Sequence, residues 1–245
     1  MTRLVKSEIL KLRTTRTFWG LVIVTAGLVV LVTVLTLALD SHLSSEEDVR
    51  SLLSTAGITG LFMLILGVVF SAGEYRHGTI ASTLLVTPTR TRVVVAKALA
   101  CATTGVLVGG LIAGVTAVIA LPWLAGKDVT PMSTGELLGL FFGGVLYTAL
   151  ACSFGAGVGA LMRNQAAAVT VVLVLLLVVD PAVAALAEGY ERFSLAGLGT
   201  TLSGAPAENL GSGDPLPFGV AALLWTIYTS VMLMAAAVVM SRRDI

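Results

Sequence analysis

The sequence predicts an all-α membrane protein: six transmembrane helices, an N-terminal helix at the membrane interface, and a short cytoplasmic helix between spans 2 and 3. Three observations predict it. Apolar residues make up 56% of the 245-residue chain and charged residues only 12%, against roughly 25% charged in a soluble domain. The mean hydropathy of +0.98 is that of a chain whose main solvent is lipid. Apolar runs of about 20 residues, long enough to cross a ~30 Å hydrocarbon core as helix, occur six times.

Taken in order, residues 1–17 form the interfacial segment and residues 18–245 the six-span domain. The spans are Phe18 to Leu39, about Leu52 to Ala72, about Val94 to Leu121, about Leu137 to Met162, about Ala166 to Ala187, and Phe218 to Met240. The first is too long for the ~7–15-residue apolar core of a signal peptide, so it is expected to stay in the mature protein. In the N-terminal segment Val5, Ile9 and Leu12 share one helical face, with Lys6 and Arg13 beside it. Such a helix buries its stripe at the headgroup layer while its cations meet anionic lipid. The alternative is that these charges only fix topology.

Direction follows from the lysines and arginines. Twelve fall on the side of the N-terminus, including Arg3, Lys6, Lys11, Arg76, Arg90, Arg92 and Lys97, against Arg50, Lys127 and Arg192 on the other. Both termini are therefore expected in the cytoplasm, with a plasma-membrane location. Of the 14 acids, Glu8, Glu74 and Asp244 fall inside and eleven outside. The formal net charge of +1 thus conceals about +9 on one side and −8 on the other.

The stretch from Ser71 to Arg92 is the most informative. Span 2 ends in a charged cluster, Glu74 to His77, followed by Gly78; Thr79 to Val86 then suits a short helix, which Thr87-Pro88 ends. About twenty residues stand where a tether of about 2–8 would suffice, which suggests a docking element. Together with the basic N-terminal helix and six spans, Gly73-Glu-Tyr-Arg-His-Gly-Thr-Ile80 followed by Leu84-Leu-Val-Thr-Pro-Thr-Arg90 resembles the permease subunits of type-2 ATP-binding-cassette (ABC) exporters. More narrowly it is similar to small drug-efflux-like permeases of high-GC Gram-positive bacteria, and 11 arginines against 4 lysines suit such a source. The resemblance implies that the short helix is a coupling helix moved by a separate ATPase, with Glu74, Tyr75, Arg76, His77, Gly78, Thr79, Arg90 and Arg92 in or beside the contact. Glu74 has an alternative role, an internal clasp to Arg3, Lys6 or Arg13.

Inside the membrane, Gly105/Gly109, Gly110/Gly114, Gly139/Gly143 and Gly155/Gly159 are spaced for close helix approach, within one bundle or between two permeases. Ionisable groups are missing from the middle of the spans, which argues against ion coupling and for an apolar or amphiphilic cargo. Asp180-Pro181 is the exception. Either the helix continues past a kink or Asp180 caps a new one; Asp at an N-cap with Pro at the first helical position favours a break and a short helix, Pro181 to about Ala187, dipping back near the outer surface. A place for Asp180 in an exit path is the functional alternative to a cap.

Missing motifs separate the classes. Without Gly-x-x-x-x-Gly-Lys-Ser/Thr this chain has no nucleotide site of its own, so ATP and Mg are expected on the partner ATPase and no cofactor here. An intramembrane hydrolase with Ser153 as nucleophile fails because His42 and His77, the two histidines, lie in loops on opposite faces. Cys101 and Cys152 sit in apolar runs and form neither a disulfide framework nor a metal motif. His42 beside Asp40 and Glu46 reads as a solvated acidic loop, with no catalytic or metal site implied. The reading is the membrane subunit of an ATP-driven exporter of a drug, lipid or natural product, partnered by an ABC ATPase, a second permease copy and the bilayer, and without nucleic acid. A non-transporting membrane assembly protein and a stand-alone carrier are the alternatives.

Overall fold

A computed structural model describes residues 1–39, 46–54, 56–87, 89–126, 132–206 and 214–242. Asp40, His42, Pro88, Lys127, Arg243 and Asp244 lie outside the described residues. The described chain is built from helices: α1 (Thr2–Thr14), α2 (Arg16–Leu39), α3 (Glu46–Leu53), α4 (Ala56–Arg76), α5 (Thr79–Val86), α6 (Arg90–Leu124), α7 (Thr134–Met162), α8 (Gln165–Val174), α9 (Asp180–Leu186), α10 (Leu195–Ser203) and α11 (Phe218–Arg242). A π-helical segment, Leu175–Val179, joins α8 to α9. Six of the helical stretches are long and apolar enough to cross a membrane.

Helix α7 is the axis of the bundle. Its start is fixed by a capping box, in which the Ser133 hydroxyl accepts the Glu136 N–H and the Glu136 carboxylate accepts the Ser133 N–H. From Gly143 onward it is almost continuously buried, packed on α4, α6, α10 and α11. Lipid tails are as apolar as leucine, so helices in a bilayer associate through close packing and interhelical hydrogen bonds. The glycine pairs supply the first. A Cβ at Gly155 or Gly159 would overlap the Leu64 or Val68 carbonyl of α4, and one at Gly105 or Gly109 would run into Thr148 of α7. These two pairs therefore serve packing within this chain. Gly114 and Gly139 face open space. Hydrogen bonds supply the rest: the Thr148 hydroxyl donates to the Gly105 carbonyl (3.0 Å) and Ser153 to that of Ala98 (3.1 Å). Ser153 is thus a buried strut between α6 and α7.

Apolar side chains on α2, the π segment and α11, among them Ile23, Leu31, Leu177, Leu223 and Met234, face outward. Such a surface belongs in lipid, and the protein is a multi-pass membrane protein. Two short helices fall outside the sequence expectation. Helix α3 tucks Val49 and Leu52 against Leu37, Ala120 and Leu124 at one end of the bundle. Helix α10 turns back into the bundle, with Leu198 and Leu202 buried and Gly199 against the Tyr147 ring. Tyr147 also packs edge-on against Trp225, which in turn meets Phe154.

The fifth span has the expected bounds, but the break expected within it is corrected. Asp180 does not cap a new helix: its backbone is α-helical (φ −57°, ψ −53°), and residues 165–186 run on as one span. Pro181 lacks an N–H and would crowd the carbonyl a turn earlier, and the wider π turn just before it absorbs that misfit. The short helix that returns into the bundle is α10, not Pro181 to Ala187.

Candidate functional site

The end of the bundle carrying the basic termini is built around a buried ring of charge. Helix α1 puts Val5, Ile9 and Leu12 against the core as its spacing requires, but Glu8 and Lys11 share that face. Its stripe is therefore covered by protein, chiefly α6 and α2. Glu8 is fully buried, and opposite it stand Glu74, in the last turn of α4, and Lys97, two turns into α6. Each ammonium touches both carboxylates. Lys11 Nζ lies 2.5 Å from Glu8 Oε1 and 2.9 Å from Glu74 Oε1; Lys97 Nζ lies 2.7 Å from Glu8 Oε2 and 2.8 Å from Glu74 Oε2. The signs alternate around the ring.

Desolvating Glu8, Glu74 and Lys97 costs several kcal/mol each, and half-buried Lys11 less; the ring recovers this only because every ion has two opposite neighbours at contact distance. Lys97 gains further from the Phe70 ring, 4.5 Å from its ammonium. Lys11 is half-buried. Burial works against its charge, yet the hydrogen bonds and attraction of Glu8 and Glu74 outweigh this and hold its pKa above the ordinary value. The same ammonium donates to Thr83 Oγ1 of α5 at 3.0 Å. One lysine thus ties α1, α4 and the short helix together.

Helix α5 is held at two further points, and the helix ends beside it are tied to one another. Gly78, at φ +68°, makes the left-handed joint that lets α5 fold back from α4, a conformation costly for other residues. Ile80 is buried with Val93 and Val94 of α6, Ala160 of α7 and Met240 of α11. Arg90 reaches from the start of α6 to the end of α11 and donates to the Met240 (2.5 Å) and Ser241 (3.4 Å) carbonyls, where a cation also complements the helix dipole. Nearby, the Arg163 guanidinium lies 5.3 Å from the Tyr75 ring centroid. Leu85 of α5 is 86% exposed, a large apolar side chain unclaimed by the chain's own core.

The sequence-predicted residues therefore separate. Glu74 is a clasp, but its partners are Lys11 and Lys97; Arg3 and Arg13 are exposed, as is Lys6. Tyr75 is half-buried and Arg90 ties two helix ends, whereas Arg76, His77, Gly78, Thr79 and Arg92 are exposed around α5. Glu8, Lys11 and Lys97 were missed as site residues. The signal was present: an acid and a lysine interrupt the apolar face of α1, and a lone lysine interrupts the apolar start of α6. Asp180 and Pro181 lie in the fifth span, away from this cluster. The Asp180 carboxylate accepts the Tyr190 hydroxyl (2.6 Å) and the Ala196 N–H (3.4 Å), anchoring the connection to α10. That hydrogen bond pushes the Tyr190 pKa up to about 12.

Six membrane-length helices with a charge-locked junction at one end make a multi-pass membrane protein of the all-α class. A family model described as ABC-2 family transporter protein matches residues 4–179, and the chain belongs to that family. The match takes in the whole charge ring, α5 and the fifth span as far as the π segment. No curated protein sequence matches the chain. Membrane subunits of the ABC-2 family work with an ABC ATPase, which supplies the nucleotide chemistry.

Proposed function

We propose that the chain is the membrane-spanning subunit of an ATP-driven exporter of an amphiphilic substrate, two copies acting with a separate ATPase that binds ATP and Mg. In this reading both termini and α5 face the cytoplasm of a bacterial plasma membrane, and the ATPase seats on α5. The ring of Glu8, Lys11, Glu74 and Lys97 carries the argument. An ATPase that pushes on one eight-residue helix has to move several spans, and α5 is tied through Thr83 and Lys11 to α1, α4 and α6. Pulling one ion out of the ring strands a buried charge, at about 3–5 kcal/mol, so the three helices resist moving separately. Leu85 and Arg92 supply the exposed apolar and polar contacts for a partner. The positive-inside distribution of charge supports the orientation.

The test is dye or drug efflux from cells co-expressing the chain with its ATPase. Efflux is expected to stop when the ATPase nucleotide site is inactivated, and to fall sharply with Leu85→Asp while the chain still reaches the membrane. Efflux that persists without ATPase activity would overturn the reading.

A further inference from the structure

Between α1–α2 and the second half of α4, at the basic end, lies a groove of about 590 Å³. That volume is within the ~300–1,000 Å³ usual for small-molecule sites. Its two parts differ in chemistry. The wall is apolar, formed by Phe18, Leu66, Val69 and Phe70, while the rim carries Arg76, His77 and Gln165. Lys11 and Glu74 also border it, but they belong to the charge ring, whose two ammoniums and two carboxylates sum to zero. The net positive charge at the rim therefore comes from Arg76. This side chain is exposed and meets Gln165 Oε1 at 3.5 Å, a long contact that uses one of five guanidinium N–H donors.

We propose that this groove binds an amphiphile with one anionic head group and an alkyl tail. The head group, a phosphate or carboxylate, lies on Arg76, His77 and Gln165, and the tail lies along Phe18, Val69 and Phe70. Charge complementarity selects the head, because a planar guanidinium pairs in bidentate fashion with such oxyanions. The wall selects the tail, since a free anion would leave it uncovered. Position selects an amphiphile over a water-soluble ligand: the groove runs along the second half of a membrane-length helix, so a molecule lying in the lipid reaches it sideways. The exporter reading bears only on the use of the site, and binding itself needs no ATPase.

The test uses the full chain in a non-ionic micelle, with Thr17→Cys at the groove carrying an environment-sensitive fluorophore. Cys101 and Cys152 are buried, which directs the label to position 17. Dodecyl phosphate is expected to give a saturable response, with dodecylphosphocholine and inorganic phosphate each at least about tenfold weaker. Arg76→Gln should weaken dodecyl phosphate by about tenfold and leave dodecylphosphocholine unchanged. Val69→Trp, which fills the groove, should weaken both alkyl ligands. Unchanged thermal unfolding of these variants keeps the comparison clean, and Arg76→Lys, restoring charge without the fork, should recover part of the affinity. Nanodiscs separate the sources: competition by phosphatidylglycerol identifies a bilayer phospholipid, and lack of competition by either phospholipid identifies a free single-chain amphiphile, both supporting the site. Competition by phosphatidylcholine, an equal response to inorganic phosphate, or indifference to both Arg76→Gln and Val69→Trp would overturn it. Loss of ATPase-dependent efflux with the groove still binding would instead contradict the exporter reading alone.

Discussion

The two ends of the bundle bury carboxylates by opposite means. At the basic end, Glu8 and Glu74 are matched by Lys11 and Lys97 in a closed ring joining three long-separated helices. At the far side of the fifth span Asp180 is satisfied by neutral donors, the Tyr190 hydroxyl and the Ala196 N–H, from the segment that follows it. The first arrangement couples α1, α4, α5 and α6 so that displacement of one is resisted by all. The second only steers the chain from α9 into α10. Ion pairs out of water are strong but demand every partner, whereas local neutral bonds fail one at a time.

Breaking the ring is expected to have the largest effect. Glu8→Ala or Lys97→Ala leaves an unmatched buried charge and should cost about 3–5 kcal/mol, read by thermal or denaturant unfolding in micelles. Glu8→Leu with Lys97→Leu should cost well under the sum of the single variants, since a neutral pair strands less charge. Additive costs would mean that the two residues do not act together.

Next come mirrored glycines on α7. Gly159→Leu forces α4 away at the basic end, and Gly143→Leu collides with the Leu202 carbonyl of α10. Each should destabilise by about 1–3 kcal/mol, but only Gly159→Leu should also depress ATPase-driven efflux. Equal damage to efflux from both would erase the distinction between the ends.

Tyr190→Phe should be milder, about 1 kcal/mol, because Asp180 keeps its second donor, the Ala196 N–H. It also carries a pH signature. The Tyr190 pKa is raised from 10.0 to about 12, so its contribution is full below 10 and fades as pH rises through about 12. The stability gap between wild type and Tyr190→Phe should close over that window. The smallest effect belongs to Gly114→Ala, where an added Cβ meets open space; a change within about 0.5 kcal/mol is expected.

Much of the fold was legible because lipid imposes a crude rule on sequence. A span must be about twenty apolar residues long, and that requirement alone picks out the six membrane-length helices. The short helix after span 2 was legible from Gly78 and Thr87-Pro88, which punctuate it. What stayed hidden was pairing across distance. Glu8 and Lys97 are 89 residues apart and Lys11 and Glu74 are 63 apart, and a single sequence holds no signal of which acid meets which lysine. Asp180-Pro181 misled for a local reason. Asp before Pro is a strong helix start, but a π turn can carry a helix through proline, and nothing in Leu175-Leu-Leu-Val-Val179 announces one.

If the charge ring transmits motion from α5 to the spans, ATP hydrolysis and efflux measured in the same proteoliposomes should come apart when the ring is neutralised. The Glu8→Leu, Lys97→Leu double variant should still assemble and hydrolyse ATP, while substrate moved per ATP falls by about tenfold, the effect of ~1.4 kcal/mol of lost coupling. Unchanged substrate moved per ATP would mean that the ring does not carry the motion.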